Sequence, residues 1–345
     1  VGKTPQKGVG KSFHMVKLKN KPSLTSLPAL VSIGLVSAAL FSLTFVINYN
    51  IALESGSWVW TAVLRYMFTI GILIALLHFT RGYHYLSELF KLFKNHIIFW
   101  IIAGSFACGL FYGGIAFASE HLRGWVVAAT FQLTIIFSPF VLMLMGYKFP
   151  LRILPFSIIV LLGAFLINWS EDIGDLDLDF FLYGVLPIII AALAYPFGNQ
   201  LTNSAKNGGL SYVPVIDSPI LNNAFSVVLL LSFGSIPFWI LLVAIVQPGM
   251  PSDGQYLQTF VVALFAGVLA TSLFIYARNL TSDTTKIVAV DTTQAAEVVF
   301  ALLLELIFVD PRLPSLVQFV GLVLLLLGLL GIALRWERLF TRSVA

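Results

Sequence analysis

The run TTKIVAVDTTQAAEVVFALLLELIF at 284–308 constrains this chain more than any other stretch, because it is long and apolar yet holds Asp291, Glu297 and Glu305. At about 1.5 Å rise per residue, a helix here crosses the roughly 30 Å hydrocarbon core of a bilayer. Stepping about 100° per residue from Asp291 brings Gln294, Glu297 and Glu305 into one sector about 120° wide, so the polar residues form a single stripe. On insertion a central Asp costs about 2.5–3.5 kcal/mol and each Leu, Ile, Val or Phe returns only about 0.3–0.6 kcal/mol. Three carboxylates therefore roughly cancel the apolar residues around them. Such a helix needs partners: its stripe must face other helices or a wet cavity, with the carboxylates paired or protonated.

The rest of the chain supplies those partners. Hydrophobic residues make up 59% of it and charged residues only 10%, against about 25% charged in soluble domains. This excludes a strictly soluble enzyme and defines an all-α integral membrane protein. The single Cys108 lies in an apolar span, which rules out an intramolecular disulfide and a cysteine-based metal site and leaves packing as its role. Histidines 14, 78, 84, 96 and 121 lack metal-ligand spacing, so no metal and no cofactor is expected.

Residues 1–27 hold Lys3, Lys7, Lys11, Lys17, Lys19 and Lys21 without an acid and read as a cytoplasmic basic tail. Within it, Gly8 to Ser12 matches the end of a phosphate-binding loop, but Pro5 stands where the first glycine belongs and no strand precedes it. No cleavable signal is evident, so the first span serves as its own insertion signal. Apolar runs then predict ten spans, at 28–50, 58–79, 97–119, 125–146, 153–170, 180–202, 219–246, 258–279, 284–308 and 315–335, with kinks at Pro139, Pro187, Pro196 and Pro237.

The loops set the orientation. With the N-terminus inside, all but three of the 20 Lys and Arg fall on the inner side: Arg123 and Arg312 are in outer loops and Arg65 is within a span. Acids crowd the predicted outer loop at 171–179, and a second basic tail occupies 336–345. Both termini are thus expected in the cytoplasm, and the formal +4 charge reflects topology rather than nucleic acid.

Five spans per half place the halves, 28–170 and 180–335, in opposite orientations, so inverted repeats are expected. Traces of repetition exist. Ala38-Ala39-Leu40 recurs at 191–193, Thr130-x-Gln132 as Thr292-x-Gln294, Phe149-Pro150 as Leu313-Pro314, and Leu162-Gly163 as Leu327-Gly328. A competing register pairs Ser138-Pro139 with Glu297-Val298.

Two local patterns add to this. The run EVVFALLLELIFVDPRLP, from Glu297 to Pro314, resembles the Glu-Pro-Val-Phe-Ala run ending in Glu-Arg-Leu-x-Pro of the drug/metabolite transporter superfamily. LLLLGLLGI, from Leu324 to Ile332, is similar to that family's closing glycine helix, and Arg65 sits where many members carry an arginine. The multidrug-resistance efflux branch, ten-helix and EamA-like, is the nearest resemblance. Val298 replaces the family's Pro, Asp310-Pro311 replaces its Glu-Arg, and the first span lacks the glutamate through which small multidrug-resistance proteins couple protons to drug. The resemblance implies transport of a solute.

Read as residues, Glu297 near mid-span suits a proton-coupling site or a counter-charge for a cationic substrate, because desolvation there favours the protonated acid; a structural hydrogen bond to a neighbouring helix is the other reading. Asp291 lies nearer the cytoplasm, and Glu305 near the outer edge where water reaches it. Arg65 stays charged, so at its depth it must pair with an acid or bind an anionic group. Asn48 and Asn199 end equivalent spans and either line a substrate path or bond neighbouring helices. Gln132 and Gln294 share the repeated Thr-x-Gln motif. Gly104, Gly109, Gly113 and Gly114 give the third span a small-residue packing face.

The leading function is a secondary transporter in a bacterial inner membrane, exporting a drug-like cation or metabolite in exchange for protons. A metabolite exchanger with Arg65 reading an anion is the alternative within transport. A lipid-modifying membrane enzyme would have to gather Asp291, Glu297 and His121 into one set, and a receptor or scaffold is disfavoured by the short loops. The expected partners are a small-molecule substrate and the lipid bilayer, with a homodimer left open.

Overall fold

A computed structural model describes residues 24–146, 154–169, 178–281 and 284–340. Among these every regular element is helical. The basic tail with its Gly8–Ser12 motif, and most of the acidic loop at 171–179, lie outside the described residues.

We number the helices α1 (Leu27–Leu53), α2 (Trp58–Arg81), α3 (Tyr83–Asn95), α4 (Ile97–Ala118), α5 (Gly124–Leu144), α6 (Leu154–Ile167), α7 (Phe180–Asn207), α8 (Ala224–Val246), α9 (Asp253–Asn279), α10 (Thr284–Thr292), α11 (Ala296–Phe308) and α12 (Leu316–Phe340). Eight of them are long and apolar enough to cross a membrane, and α6 is a shorter apolar helix. The segment 284–308 departs from the single helix expected: α10 and α11 are separated by a tight 3-10 turn at Thr293–Ala295. The exterior carries large exposed apolar side chains such as Phe79, Ile240 and Leu257, as lipid contact requires and water would penalise.

Local chemistry sets the helix ends. Gly82 and Gly208 stop α2 and α7 with φ of 85° and 77°, where a Cβ would be strained. The Asn223 Oδ1 accepts the Phe225 N–H at 2.9 Å and starts α8. Helix α3 was not anticipated. Tyr83–Asn95 buries Leu86 and Leu89 while Lys91 and Lys94 stay exposed, an amphipathic pattern that suits a helix lying along the interface.

Packing joins distant parts of the chain. Helix α6 packs chiefly on α12, α8 on α4 and α2, α1 on α11 and α9, and α7 on α4 and α5. Glycines allow the closest crossings. A Cβ on Gly163 would run into the backbone of Gly321 and Leu325, and one on Gly328 into Phe156 and Val160. Gly104 and Gly234 meet in the same way across α4 and α8.

Three of the four predicted kinks miss the irregular places, while Pro187 lies just past the π-helical turn Phe180–Val185. Pro139, Pro196 and Pro237 sit inside helices that continue. The helical ladder tightens instead at Gln132 and Leu133 in α5, where Ile135 N–H bonds the Gln132 carbonyl and Ile136 N–H that of Leu133, and at the 3-10 turn of 293–295. It widens into π-helical turns at Ser105–Leu110 of α4, Phe180–Val185 of α7 and Ala263–Ala270 of α9. The hydroxyl of Ser37 from α1 satisfies the Ala270 carbonyl at 2.9 Å.

Candidate functional site

Four of these irregular places, all but the π-helical turn Phe180–Val185, border one cavity of about 680 Å³ in the middle of the bundle. Ala107 and Cys108 come from one π-helical turn, Ala266 and Gly267 from the other; Gln132 comes from one tightened turn, Gln294 and Ala295 from the second. Each of these irregularities thus contributes at least one residue to the wall. At the second tightened turn, the Thr293 hydroxyl bonds the Val290 carbonyl at 2.6 Å, and Gly34 of α1 leaves room for the Thr293 side chain. Cys108 is thus a wall residue as well as a packed one.

The cavity gathers most of the polar residues singled out from the sequence. Glu297, Asp291, Gln294, Gln132, Arg65 and Asn199 all lie on its wall. The Gln132 amide points its Nε2 at Glu297 Oε2 across a long 3.5 Å contact, which joins the two Thr-x-Gln regions. No cationic group lies within ion-pairing distance of Glu297 among the described residues. Asp291 faces Arg278 at 3.3 Å, with both side chains about half exposed, close to a smaller pocket that shares Phe274 and Ile275 with the main cavity. This is the end of the bundle where the Lys286 ammonium bonds the Thr25 carbonyl, ahead of α1.

Asn48 is a different case. It is buried behind the wall, its Oδ1 accepting the Tyr112 hydroxyl at 2.9 Å, so it belongs to interhelical bonding and not to the lining. Tyr112 in turn supports Arg65, whose guanidinium carbon stands 3.9 Å over the tyrosine ring. Arg65 is buried without an acid partner among the described residues, so the salt bridge that its depth suggested is not formed.

Glu305 departs from the sequence reading most clearly. It is fully buried and not reached by water, and it does not share the wall with Glu297. Its Oε1 accepts Arg123 Nε at 2.7 Å and its Oε2 accepts the Trp125 N–H at 2.9 Å, so it caps α5 from across the bundle. Asp310 lies 3.7 Å from the same arginine and receives the Arg312 fork at 2.7–3.0 Å, which holds its carboxyl below the usual range. The tightened turn at 293–295 sets Asp291 on a separate helix from Glu297 and Glu305, and partners across the bundle then separate the last two.

Gly124 at the start of α5 and the aromatic wall are the features that residue-by-residue reading missed. A Cβ on Gly124 would crowd the Phe45 carbonyl and Glu305 Oε2. Phe45, Phe111, Phe131 and Tyr195 form a run of ring contacts, with centroids 4.7 Å apart for Phe111–Tyr195 and 5.2 Å for Phe111–Phe131. With 30 Phe in the chain, no sequence pattern separates these four from the lipid-facing ones. His121 packs against Phe117 and Tyr183, off the cavity, so it forms no set with Asp291 and Glu297.

Comparison with known proteins agrees with this architecture. The EmrE family model, described as "Putative multidrug resistance efflux transporter", matches residues 29–337. The uncharacterized protein YjlA of Bacillus subtilis is 33% identical over 316 residues, covering 87% of this chain and 93% of that protein. An uncharacterized 42.1 kDa protein of Shouchella clausii is 31% identical over 264 residues, covering 72% of this chain and 64% of its own length. A crystal structure of a protein with 16% identity superposes with a TM-score of 0.55 over 91% of this chain and 99% of its own, a likeness of fold. The family match spans every described helix and nearly the whole bundle around the cavity, and on that ground the chain belongs to the multidrug resistance efflux transporter family of the drug/metabolite transporter superfamily.

Proposed function

We propose that this protein is a secondary active transporter that exports a small organic solute through the central cavity, in exchange for protons carried on Glu297. The observation that carries the reading is the cavity itself. About 680 Å³ suits a drug-sized solute, its wall draws on both halves of the chain, and it holds a carboxylate with no cationic partner among the described residues. A membrane-embedded acid of that kind is a proton or cation site by default.

Alternating access needs two halves that rock about the site, and ten spans as two inverted five-helix repeats would supply them. Three features support this. The helix pairings stay the same when each of the first five spans is exchanged with its counterpart five spans later: α1 on α11 matches α7 on α5, and α4 on α8 matches α9 on α2. The tightened turns fall on the repeated Thr-x-Gln motifs, and both third spans, α4 and α9, widen into π turns. The Gly163 and Gly328 contacts are also reciprocal in the register that aligns those glycines, since Gly321 and Leu325 then correspond to Phe156 and Val160. These matches favour the Thr-x-Gln register over the Ser138–Glu297 one. Lys and Arg placement puts both termini in the cytoplasm, in the inner membrane of a bacterium like those of the relatives.

Purified protein in proteoliposomes with a pH dye inside, challenged in turn with organic cations, amino acids and organic acids, tests the reading. At least one class should move protons opposite to solute. A protein that passes none of these solutes, with or without a pH gradient, would overturn it.

A further inference from the structure

We infer that Arg65 is a receptor for a carboxylate, and that the cavity takes a monocarboxylate with an apolar, ring-bearing body. Arg65 is only 9% exposed, yet its Nη1 has no hydrogen-bond partner among the described residues. A guanidinium cannot shed its charge, so at this depth an unpaired N–H is a standing cost that an anionic ligand removes. The side chain is held for the purpose. Tyr112 lies flat beneath the guanidinium, and its hydroxyl is fixed by Asn48 at 2.9 Å, so the fork has little freedom to turn away. Tyr66 closes the other flank, stacked on Trp239 with centroids 5.4 Å apart.

The rest of the wall selects the ligand. Arg65 is the only cationic side chain among the described residues on the cavity wall, and Glu297 adds a carboxylate of its own, so a dianion such as a phosphate monoester would meet too little positive charge. A monoanion is matched, and a fork accepts a carboxylate through two parallel bonds. Phe45, Phe111, Phe131 and Tyr195 then offer a continuous aromatic surface for an apolar body. The inference rests on the transport reading for the cavity being the substrate site, and it replaces a purely cationic cargo with one that carries an acid.

The test compares two probes that share one body, 3-phenylpropionate and 3-phenylpropylamine, by calorimetric titration of the full-length protein in detergent and by counterflow in proteoliposomes. Wild type should bind the acid more tightly than the amine. Arg65→Gln should weaken the acid roughly 10- to 100-fold, the range for losing a charge-assisted hydrogen-bonded pair, while amine binding is retained or tightened as a like charge is removed and reports an intact fold. Arg65→Lys should restore part of the loss, since it keeps the charge without the fork. Should Arg65→Gln not fold, the wild-type ranking of acid over amine still decides. An amine that binds more tightly than the acid in wild type, or acid affinity unchanged in Arg65→Gln, overturns the inference. If the amine alone binds and exchanges for protons, the inference fails and the transport reading stands; if neither probe binds or is carried, both fail.

Discussion

Glu297 and Glu305 sit on the same helix, two turns apart, and their surroundings are opposite. Glu305 is enclosed and saturated: Arg123, the Trp125 N–H and the start of α5 take up its oxygens, and nothing remains for a ligand or a proton. Glu297 borders a cavity, and among the described residues its hydrogen-bond partner is a neutral amide at 3.5 Å. Burial ranks Glu305, the residue nearer the span's outer edge, as the more enclosed, so depth in the span does not decide their roles. The partner set does. An acid already committed to a cation and a helix end holds the fold together, whereas one facing open space and an uncommitted amide is free to change its charge.

The sharpest attempt to break this contrast is Glu297→Gln, which keeps the shape and fixes the neutral state. We expect loss of proton-driven uptake into acid-inside vesicles by about 100-fold or more, the scale for removing an essential proton carrier, with an unchanged thermal unfolding midpoint in detergent. Uptake at the wild-type rate under an imposed pH gradient would make Glu297 a structural acid like its neighbour. Glu305→Gln should do the reverse. It leaves the Arg123 charge without its main partner, so about 3 kcal/mol of stability should be lost, read as a lower unfolding midpoint, while the residual folded protein retains coupled transport.

Two smaller changes refine the contrast. Asp291 is half exposed and already faces Arg278, so Asp291→Asn should slow transport only a few-fold, and a loss matching that of Glu297→Gln would move the coupling role towards this end of the cavity. Asp310→Asn should cost less than about 1 kcal/mol, because its Arg312 partner is largely exposed. Since Arg312 holds the Asp310 carboxyl below its ordinary value, that contribution is present above about pH 4 and disappears as pH falls further. Unfolding midpoints of wild type and variant should therefore converge in acid.

Much of this was legible before any coordinates. Apolar runs announce membrane spans because hydropathy sums over some twenty residues, so no single substitution obscures it. The acids of 284–308 announced a shielded face for the same reason, since their insertion cost had to be met by something. What stayed hidden depends on partners far away in the chain. Glu305 looked water-accessible because Arg123 and Trp125 lie some 180 positions earlier and only the fold joins them. Asn48 stayed undecided between lining a path and bonding a neighbouring helix because the Tyr112 hydroxyl that claims it is on another helix. The turn at Thr293–Ala295 contains neither proline nor glycine and gives no local warning, and α3 was overlooked because a short amphipathic helix is written in spacing, not in total apolarity.

The packing of α6 against α12 has a consequence for how the molecule is made. The fifth apolar segment leaves the ribosome with its glycine face prepared, but the helix that fills that face is synthesised about 150 residues later, beginning at Leu316. At ordinary elongation rates the delay is on the order of 10 s. Throughout that time the first half of the protein sits in the bilayer with an open seam where Gly163 awaits Gly321 and Leu325. Arrival of α12 closes the seam and completes the packing around α6. A chain cut short before Leu316 keeps the groove on α6 uncovered, with the backbone at Gly163 facing lipid instead of Gly321 and Leu325.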